Sequence, residues 1–255
     1  MMKKFINIIQ SSSLGNCIAL DDNKSHLFLD FGADKKYLRQ YYGIKSLASE
    51  NIAAILITHE HIDHIRSLES NLSNGINVYS TDKTWDEIEK RISNRKYIKN
   101  SFVINNKWTK IKNTNWSFKA IPTIHNAIDP ICYIIKNKRS KILYLTDTEY
   151  FENKSFNGLN IFLIECNYGS YIANSISVER KHLTNINHHM NSTNVEKFLK
   201  KYVTFKTKLF LMIHLSSKCH NNFEILDFMA KKYSTKKLKV TYVKPDFFNK
   251  TSFHF

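Results

Sequence analysis

The sequence predicts an α/β fold in which two β-sheets pack face to face with helices on their outer sides. Short runs of Ile, Leu, Phe and Val recur along the 255 residues, as expected for strands buried on both faces. Strand patterns come first and are followed by alternating strands and helices, which is typical of a layered sandwich. The composition shows no break and no linker, so we expect one domain over residues 1–255.

The first half of the chain contains the predicted strands of one sheet and three helices. Turn-forming residues at 11–16 and 21–24 separate the first three strands. Thr81 is a candidate N-cap for the third helix. The predicted elements, in order, are strands at 3–9, 17–20 and 26–30, a helix at 34–42, a strand at 53–58, a helix at 62–72, a strand at 76–79 and a helix at 81–95.

The second half supplies further strands and two more helices. Ser192 is a candidate N-cap for the first of these helices. The predicted elements are short strands within 102–119, strands at 131–135, 142–146 and 161–164, a helix at 192–202, a strand at 208–213, a helix at 222–233 and a strand at 238–243.

The most informative motif follows the apolar run that ends at Thr58. His59, His61, Asp63 and His64 occur within six residues, and in an extended segment the first two point to the same side. Imidazole nitrogens and carboxylate oxygens are the ligands of borderline divalent cations such as Zn²⁺, with manganese and iron as rivals. The alternative is a polar loop that is rich in histidine. We favour a metal site.

Five other apolar runs also end in a residue that can bind a metal or transfer a proton. A single such residue is commonly a cap or turn residue, but six strand ends together indicate a shared site. In layered α/β folds, functional groups gather at the carboxyl ends of strands. The five residues are Asp30, His125, Asp147, Glu165 and His214.

The formal net charge of +16 suggests an anionic partner. No acidic residue occurs from position 90 to 128, where lysines and arginines alternate with aromatic residues such as Trp108 and Trp116. Such a pattern occurs on surfaces that bind phosphates and stack bases. The chain is also rich in Lys, Asn and Ile, so a compositional bias toward basic residues is the alternative explanation.

Compartment signals are few. The apolar stretch at the start is short and interrupted by Asn7, which argues against a signal peptide, and no segment is long enough to cross a membrane. Four scattered cysteines form neither a disulfide framework nor a paired metal site. We therefore expect a cytoplasmic protein with no membrane partner, and a homodimer is left open.

Taken together, these motifs resemble the metallo-β-lactamase superfamily, an αββα sandwich, over nearly the whole chain. The resemblance extends to its YycJ/WalJ-like exonuclease branch and to tRNase Z. The matching motifs are the histidine-rich motif at 59–64, the opening loop at 11–17, Leu29-Asp30-Phe31-Gly32, the segments at 118–130 and 145–148, Ile164-Glu165-Cys166-Asn167, His189-Met190-Asn191 and His214-Leu215-Ser216.

The resemblance implies two divalent metal ions, with Zn²⁺ favoured and Mn²⁺ as the alternative. It assigns His59, His61 and His125 to the first ion. It assigns Asp63, His64 and His214 to the second, and Asp147 as the bridge between them. Asp30 would orient a ligand histidine from behind.

The resemblance also implies catalytic roles for Asp63, Glu165 and His189. In the tRNase Z branch a Glu–His pair transfers protons, and Glu165 with His189 occupies the matching positions. A protonated histidine oriented by a carboxylate can protonate a leaving alkoxide. Because His188 precedes His189 directly, the catalytic histidine is uncertain by one position.

Three functions follow as hypotheses. The first is a dinuclear-metal phosphodiesterase acting on nucleic acid, as an exonuclease. The second is a phosphodiesterase for small cyclic nucleotides, as in the phage anti-Pycsar enzymes of this fold. The third is a nucleic-acid-binding protein without catalysis, against which the complete ligand set argues.

Overall fold

Two seven-stranded sheets face each other, as the sequence predicts. The structure is a computed structural model. It describes residues 5–45, 51–69, 75–92, 101–104, 107–152, 156, 158–169, 188–216, 223–244 and 252–254. Strands are numbered along the chain. The first sheet, in spatial order, consists of β14 (Ser252–His254), β1 (Phe5–Ser12), β2 (Gly15–Asp21), β3 (His26–Leu29), β4 (Ile52–Leu56), β5 (Val78–Ser80) and β6 (Ser101–Val103).

The second sheet has a similar arrangement, with antiparallel strands at one side and parallel strands at the other. Its order is β13 (Lys239–Tyr242), β12 (Leu209–Ile213), β11 (Ile161–Glu165), β10 (Lys141–Leu145), β9 (Ile131–Lys136), β8 (Ser117–Pro122) and β7 (Thr109–Lys110). The helices are α1 (Lys35–Lys45), α2 (Ile62–Ile65), α3 (Asp82–Glu89), α4 (Ser192–Tyr202) and α5 (Phe223–Tyr233).

Three apolar layers hold the sandwich together. The central layer lies between the sheets and includes Phe118 and Leu56. The outer layers join each sheet to its helices, with Trp85 of α3 on one side and Phe198 of α4 on the other. Each sheet is therefore covered on both faces, which explains why its central strands are continuously apolar rather than alternating.

The strand directions bring the functional residues to one edge. Strands β3, β4 and β5 are parallel, and so are β10 to β13. The carboxyl ends of parallel strands lie at the same edge of a sheet, and a hydrogen bond from Tyr144 to Asp30 joins the two sheets there. None of the described helices is long and apolar enough to cross a membrane.

Two local predictions were wrong. The helix expected at 62–72 is interrupted after its first turn, Ile62–Ile65, because Ser67 instead donates hydrogen bonds to the carbonyl oxygens of Phe31 and Ala33. Helical backbone is found again at Glu69, and residues 70–72 lie outside the described ranges. The N-cap of α4 is Asn191, not Ser192. A β-bridge to Tyr168 keeps Asn191 extended, and its side chain accepts from the N–H of Asn194.

Thr81 is the N-cap of α3, as predicted, and accepts from the N–H of Thr84. The helix ends at Glu89, and residues 93–95 of the predicted range lie outside the described ranges. Cys17, Cys132 and Cys166 are buried free thiols, whereas Cys219 is not described. The cytoplasmic location stays a prediction.

Gly32 allows the loop after β3 to contact the backbone of α2. A Cβ atom at this position would lie 1.6 Å from the carbonyl oxygen of Asp63 and 2.5 Å from the backbone nitrogen of His64. The peptide N–H of Phe31 also donates to the carbonyl oxygen of His64 at 2.8 Å. Without a side chain at Gly32, the histidine-rich motif can pack directly on this loop.

Gly32→Ala should therefore destabilise the protein, because the added methyl group overlaps backbone rather than a flexible side chain. We expect a loss of about 3 kcal/mol or more in the free energy of unfolding, measured by urea denaturation of the metal-free protein. Gly43→Ala is the control, since nothing lies within 4 Å of its Cβ position on α1 and alanine favours helix by roughly 0.5–1 kcal/mol. Equal stability of the two variants would contradict the packing role of Gly32.

Candidate metal centre

Three residues at the centre have a left-handed backbone although they are not glycine. Asp30, Asp147 and His214 each follow a strand and have φ angles of 53°, 48° and 52°. This conformation is uncommon for side-chain-bearing residues and costs on the order of 1–3 kcal/mol each. It turns the chain sharply at the strand end, and all three side chains lie at the same site.

The first ligand group joins both sheets. His59, His61, His125 and Asp147 each contribute one ligand atom, and these four atoms lie within 4.8 Å of one another. Nε2 of His125 lies 3.3 Å from Nδ1 of His61 and 3.4 Å from Oδ2 of Asp147. His125 donates from Nδ1 to the carbonyl oxygen of His188, so its Nε2 is left as an acceptor. Nε2 of His125 and Oδ2 of Asp147 are then two facing acceptors, and such a pair suits a cation between them.

The second ligand group shares Asp147 with the first. Asp63, His64, Asp147 and His214 again place four ligand atoms within 4.8 Å of one another. Nε2 of His64 lies 3.3 Å from Oδ2 of Asp63, and Nε2 of His214 lies 3.3 Å from Oδ1 of Asp147. The two carboxylate oxygens of Asp147 thus approach different histidines, which is the arrangement expected of a bridging ligand.

The donor set fits divalent cations. The Nε2 atoms of His59 and His214 are buried and have no hydrogen-bond partner among the described residues. Asp147 is nearly inaccessible, and no lysine or arginine of the described chain pairs with it. Buried charges and unpaired nitrogens are costly unless a cation is bound. The first group offers three imidazoles and one carboxylate, and the second offers two imidazoles and two carboxylates. Both ligand sets are typical of Zn²⁺ and can also bind Mn²⁺.

Asp30 holds His64 from behind. Its Oδ2 accepts from Nδ1 of His64 at 2.8 Å and from the hydroxyl of Tyr144 at 2.8 Å. The backbone and hydroxyl of Thr58 donate to Asp30 as well. The carboxylate thereby directs Nε2 of His64 toward Asp63 and Asp147, as the resemblance implied.

Glu165 and His189 form a hydrogen-bonded pair beside the two ligand groups, and with Asp147 and His214 they make a third set of residues that could hold a metal. Nδ1 of His189 donates to Oε1 of Glu165, and Oε2 accepts from the backbone N–H groups of Thr148 and Met190. Burial acts to lower the pKa of His189, but the charge of Glu165 outweighs it and raises this pKa above its usual value. Burial acts to raise the pKa of Glu165, but the neighbouring His189 has the larger effect and lowers this pKa below its usual value.

His188 makes a different contact from its neighbour. Its Nδ1 lies 2.5 Å from Oε1 of Glu149, and both side chains are partly exposed. His189, in contrast, faces the buried Glu165, and its ring stacks on that of His214 at 5.5 Å between centroids. The catalytic roles of Glu165, His189 and Asp63 stay predictions, but this geometry favours His189 over His188.

Two contacts at the centre were not foreseen. The amide nitrogen of Asn16 lies 3.1 Å from Oδ2 of Asp63 and 3.1 Å from Nε2 of His64. The amide of Asn167 lies 3.1 Å from Nδ1 of His214. Both asparagines belong to motifs that carry the resemblance. Nothing in the sequence indicated that an asparagine side chain at either position would contact a ligand residue.

The basic run, residues 90–128, approaches the centre only in part where it is described. Its lysines on β7 and β8 lie away from the centre, whereas Arg91 donates to the carbonyl oxygen of Glu60 in the histidine-rich motif at 3.0 Å. Lys110 pairs with Ser117 at the start of β8, and Lys136 at the end of β9 lies 4.0 Å above the ring of Trp108. The ligand His125 follows the other end of β8, after Pro122. The five residue steps between these ends span about 17 Å. The described lysines on β7 and β8 therefore do not line the ligand groups.

The family model described as "Beta-lactamase superfamily domain" matches residues 30–215. The chain belongs to the metallo-β-lactamase superfamily. It is a metal-dependent hydrolase of that superfamily.

Relatives with assigned names are similar at low identity. The chain is 26% identical to "Exodeoxyribonuclease YycJ" of Bacillus anthracis, covering 82% of this chain and 81% of the relative. It is 27% identical to "Exodeoxyribonuclease WalJ" of Streptococcus pneumoniae, covering 88% and 85%. Among solved structures, the metallo-β-lactamase fold protein YhfI of Bacillus subtilis aligns with a TM-score of 0.71 at 16% identity, covering 96% of this chain and 98% of YhfI.

Replacement of Asp147 tests the shared ligand. Asp147→Asn should reduce bound divalent metal from two ions per chain to one or fewer, because one carboxylate serves both groups. The measurement is elemental analysis after reconstitution with Zn²⁺ or Mn²⁺ and removal of free metal. Glu149→Gln is the control on the same loop. Undiminished metal content in Asp147→Asn would contradict the bridging role, and no bound metal in the unaltered protein would contradict the centre as a whole.

Proposed function

We propose that the protein hydrolyses phosphodiester bonds in nucleic acid and acts as an exonuclease. The observation that carries the proposal is the Glu165–His189 pair beside two ligand groups that share Asp147. The relatives named exodeoxyribonuclease support the choice of nucleic acid as substrate.

The ligand groups would hold two divalent ions, Zn²⁺ or Mn²⁺. When bound, such ions supply positive charge for the non-bridging phosphate oxygens and lower the pKa of water toward neutrality. His59, His61 and His125 would hold one ion, and Asp63, His64 and His214 the other, with Asp147 common to both. Asp63 would also contribute to catalysis by orienting the attacking water.

His189 would protonate the departing alkoxide. Its Nδ1 is engaged by Glu165, so the proton available to substrate is on Nε2. Glu165 is itself held by two backbone N–H groups, which keeps the imidazole in one orientation. General-acid catalysis of this kind contributes about 10²–10⁴-fold.

Small cyclic nucleotides are the second candidate substrate, because the same centre could open a cyclic phosphodiester. Side-by-side assays of the metal-loaded protein on single-stranded DNA, RNA, and 2′,3′- and 3′,5′-cyclic mononucleotides distinguish the two. Release of mononucleotides from DNA supports the exonuclease. Hydrolysis of cyclic mononucleotides alone supports the second candidate, and binding of DNA without any hydrolysis would indicate a nucleic-acid-binding protein.

His189→Ala should keep both metals and lose about 10²-fold or more in kcat on DNA, because it removes an acid rather than a ligand. The loss should shrink on a p-nitrophenyl phosphodiester, whose leaving group needs little protonation. His188→Ala is the matched control, since His188 contacts Glu149 instead. A larger loss in His188→Ala would reverse the assignment, and loss of metal in His189→Ala would make His189 a ligand.

The remaining expectations are also predictions. One is that residues 1–255 form a single domain. The other is a homodimer, which sedimentation of the metal-loaded protein would test.

A further inference from the structure

A groove lies between α4 and the loop after β10 that contains Tyr150 and Phe151. Its floor is apolar and buried, and its open side carries aromatic and basic side chains. The lining residues are Tyr150, Phe151, Met190, Asn194, Lys197, Phe198, Lys201 and Tyr202. We call this the α4 groove.

Both walls of the α4 groove are tied to Glu165. One wall is the loop after Asp147, where Thr148 donates its backbone N–H to Oε2 of Glu165 and its hydroxyl to the carbonyl oxygen of Tyr150. The other wall begins at Met190, whose N–H donates to the same Oε2. His189 is bonded to the other oxygen of this carboxylate. One end of the groove is therefore at Met190, the residue that directly follows the proposed acid in the chain.

The groove then leads away from the centre along α4. Asn194, Lys197 and Lys201 are spaced three and four residues apart, so they lie along one side of the helix. Seven residues of helix separate the first from the last, a length of about 10 Å. The direction is from the His189 end of the helix toward its carboxyl end.

The exposed chemistry of the groove suits a nucleotide. The ring of Tyr150 is 54% exposed at the rim, although its hydroxyl is bonded to Glu152. Lys201 also contacts Glu152, whereas Lys197 is exposed and makes no ion pair with any described residue. The ammonium group of Lys197 could bind a phosphate, and the exposed ring of Tyr150 could stack on a base.

We propose that the α4 groove binds the nucleotide on the leaving-group side of the cleaved bond in a single-stranded polynucleotide. The assignment rests on the proposed function, because His189 donates its proton to that side. A base would stack on Tyr150, and the following phosphate would contact Lys197. A cyclic mononucleotide has no separate leaving nucleotide and leaves this groove empty, so the groove favours the polymer as substrate.

Binding measurements test Lys197 directly. The probe is a fluorescein-labelled, phosphorothioate-linked oligothymidylate that resists hydrolysis, and its anisotropy is followed across salt concentrations with metal-loaded protein. Lys197→Ala should lower the salt slope by about 0.7, as expected for one lost phosphate contact on a single strand. Lys200→Ala is the matched control, because Lys200 is on the same helix but pairs with Glu196 outside the groove. Lys110→Ala tests the distant basic segment.

Tyr150 is tested with two variants. Tyr150→Ala should weaken binding of the same probe by about fivefold or more, since base stacking on an aromatic ring is lost. Tyr150→Phe keeps the ring and removes the hydroxyl contact with Glu152, so its affinity should stay near that of the unaltered protein. Equal losses in the two variants would assign the effect to the hydroxyl and overturn the stacking proposal.

Failure of the groove and failure of the proposed function give different results. If Lys197→Ala and Lys200→Ala bind alike and Tyr150→Ala binds normally, the groove proposal is overturned while hydrolysis of DNA can still be observed. If the unaltered protein fails to bind the oligothymidylate at all, the groove proposal is also overturned. If the unaltered protein hydrolyses neither DNA nor bis(p-nitrophenyl) phosphate, the proposed function is wrong whatever the binding results are.

Discussion

The carboxylate of Asp147 is the group on which the centre depends. It is buried between the sheets, and its two oxygens lie within 3.5 Å of histidines that arrive from both of them. A buried carboxylate surrounded by imidazoles is stable when cations or protons compensate its charge. The edge of the sandwich is therefore organised to concentrate negative charge and nitrogen lone pairs, and metal affinity and fold stability are expected to be linked there.

The backbone at this edge is adapted to the same purpose. Asp30, Asp147 and His214 follow β3, β10 and β12, in that order, and all three have a left-handed backbone. Their conformational cost is acceptable because the strands before them are buried in the continuous apolar layers of both sheets. Gly32 allows the loop after β3 to press against the ligand motif. Packing energy from the core thus supports a strained and charged site at the edge.

The positive charge of the chain and the chemistry of the centre are separate features. The net charge of +16 is distributed over many exposed lysines. The described lysines of β7 and β8 lie far from the ligands, and Arg91 contacts the backbone of Glu60 rather than a ligand side chain. At the centre, buried carboxylates face imidazoles, and no described lysine or arginine pairs with them. A polyanionic substrate would thus be attracted by the overall charge, whereas its position near His189 would depend on a few residues such as Lys197.

The sequence by itself determined the layers and indicated most of the candidate ligand residues. Apolar runs marked the strands, and the spacing of His59, His61, Asp63 and His64 gave a local metal signature that needs no distant partner. The residues at strand ends could be grouped because parallel strands share an edge. Family membership agrees with the resemblance that these motifs carried.

Only the tertiary structure decided the features that depend on distant contacts. Hydrogen bonds from Ser67 to the loop after β3 limit α2 to one turn, and the bridge between Tyr168 and Asn191 selects the cap of α4. Asn16 reaches the ligands across 47 positions of chain. Local propensity carries no information about such pairings, because they form only when separate elements are packed together. The same reason hid the α4 groove, whose two walls come from segments far apart in the sequence.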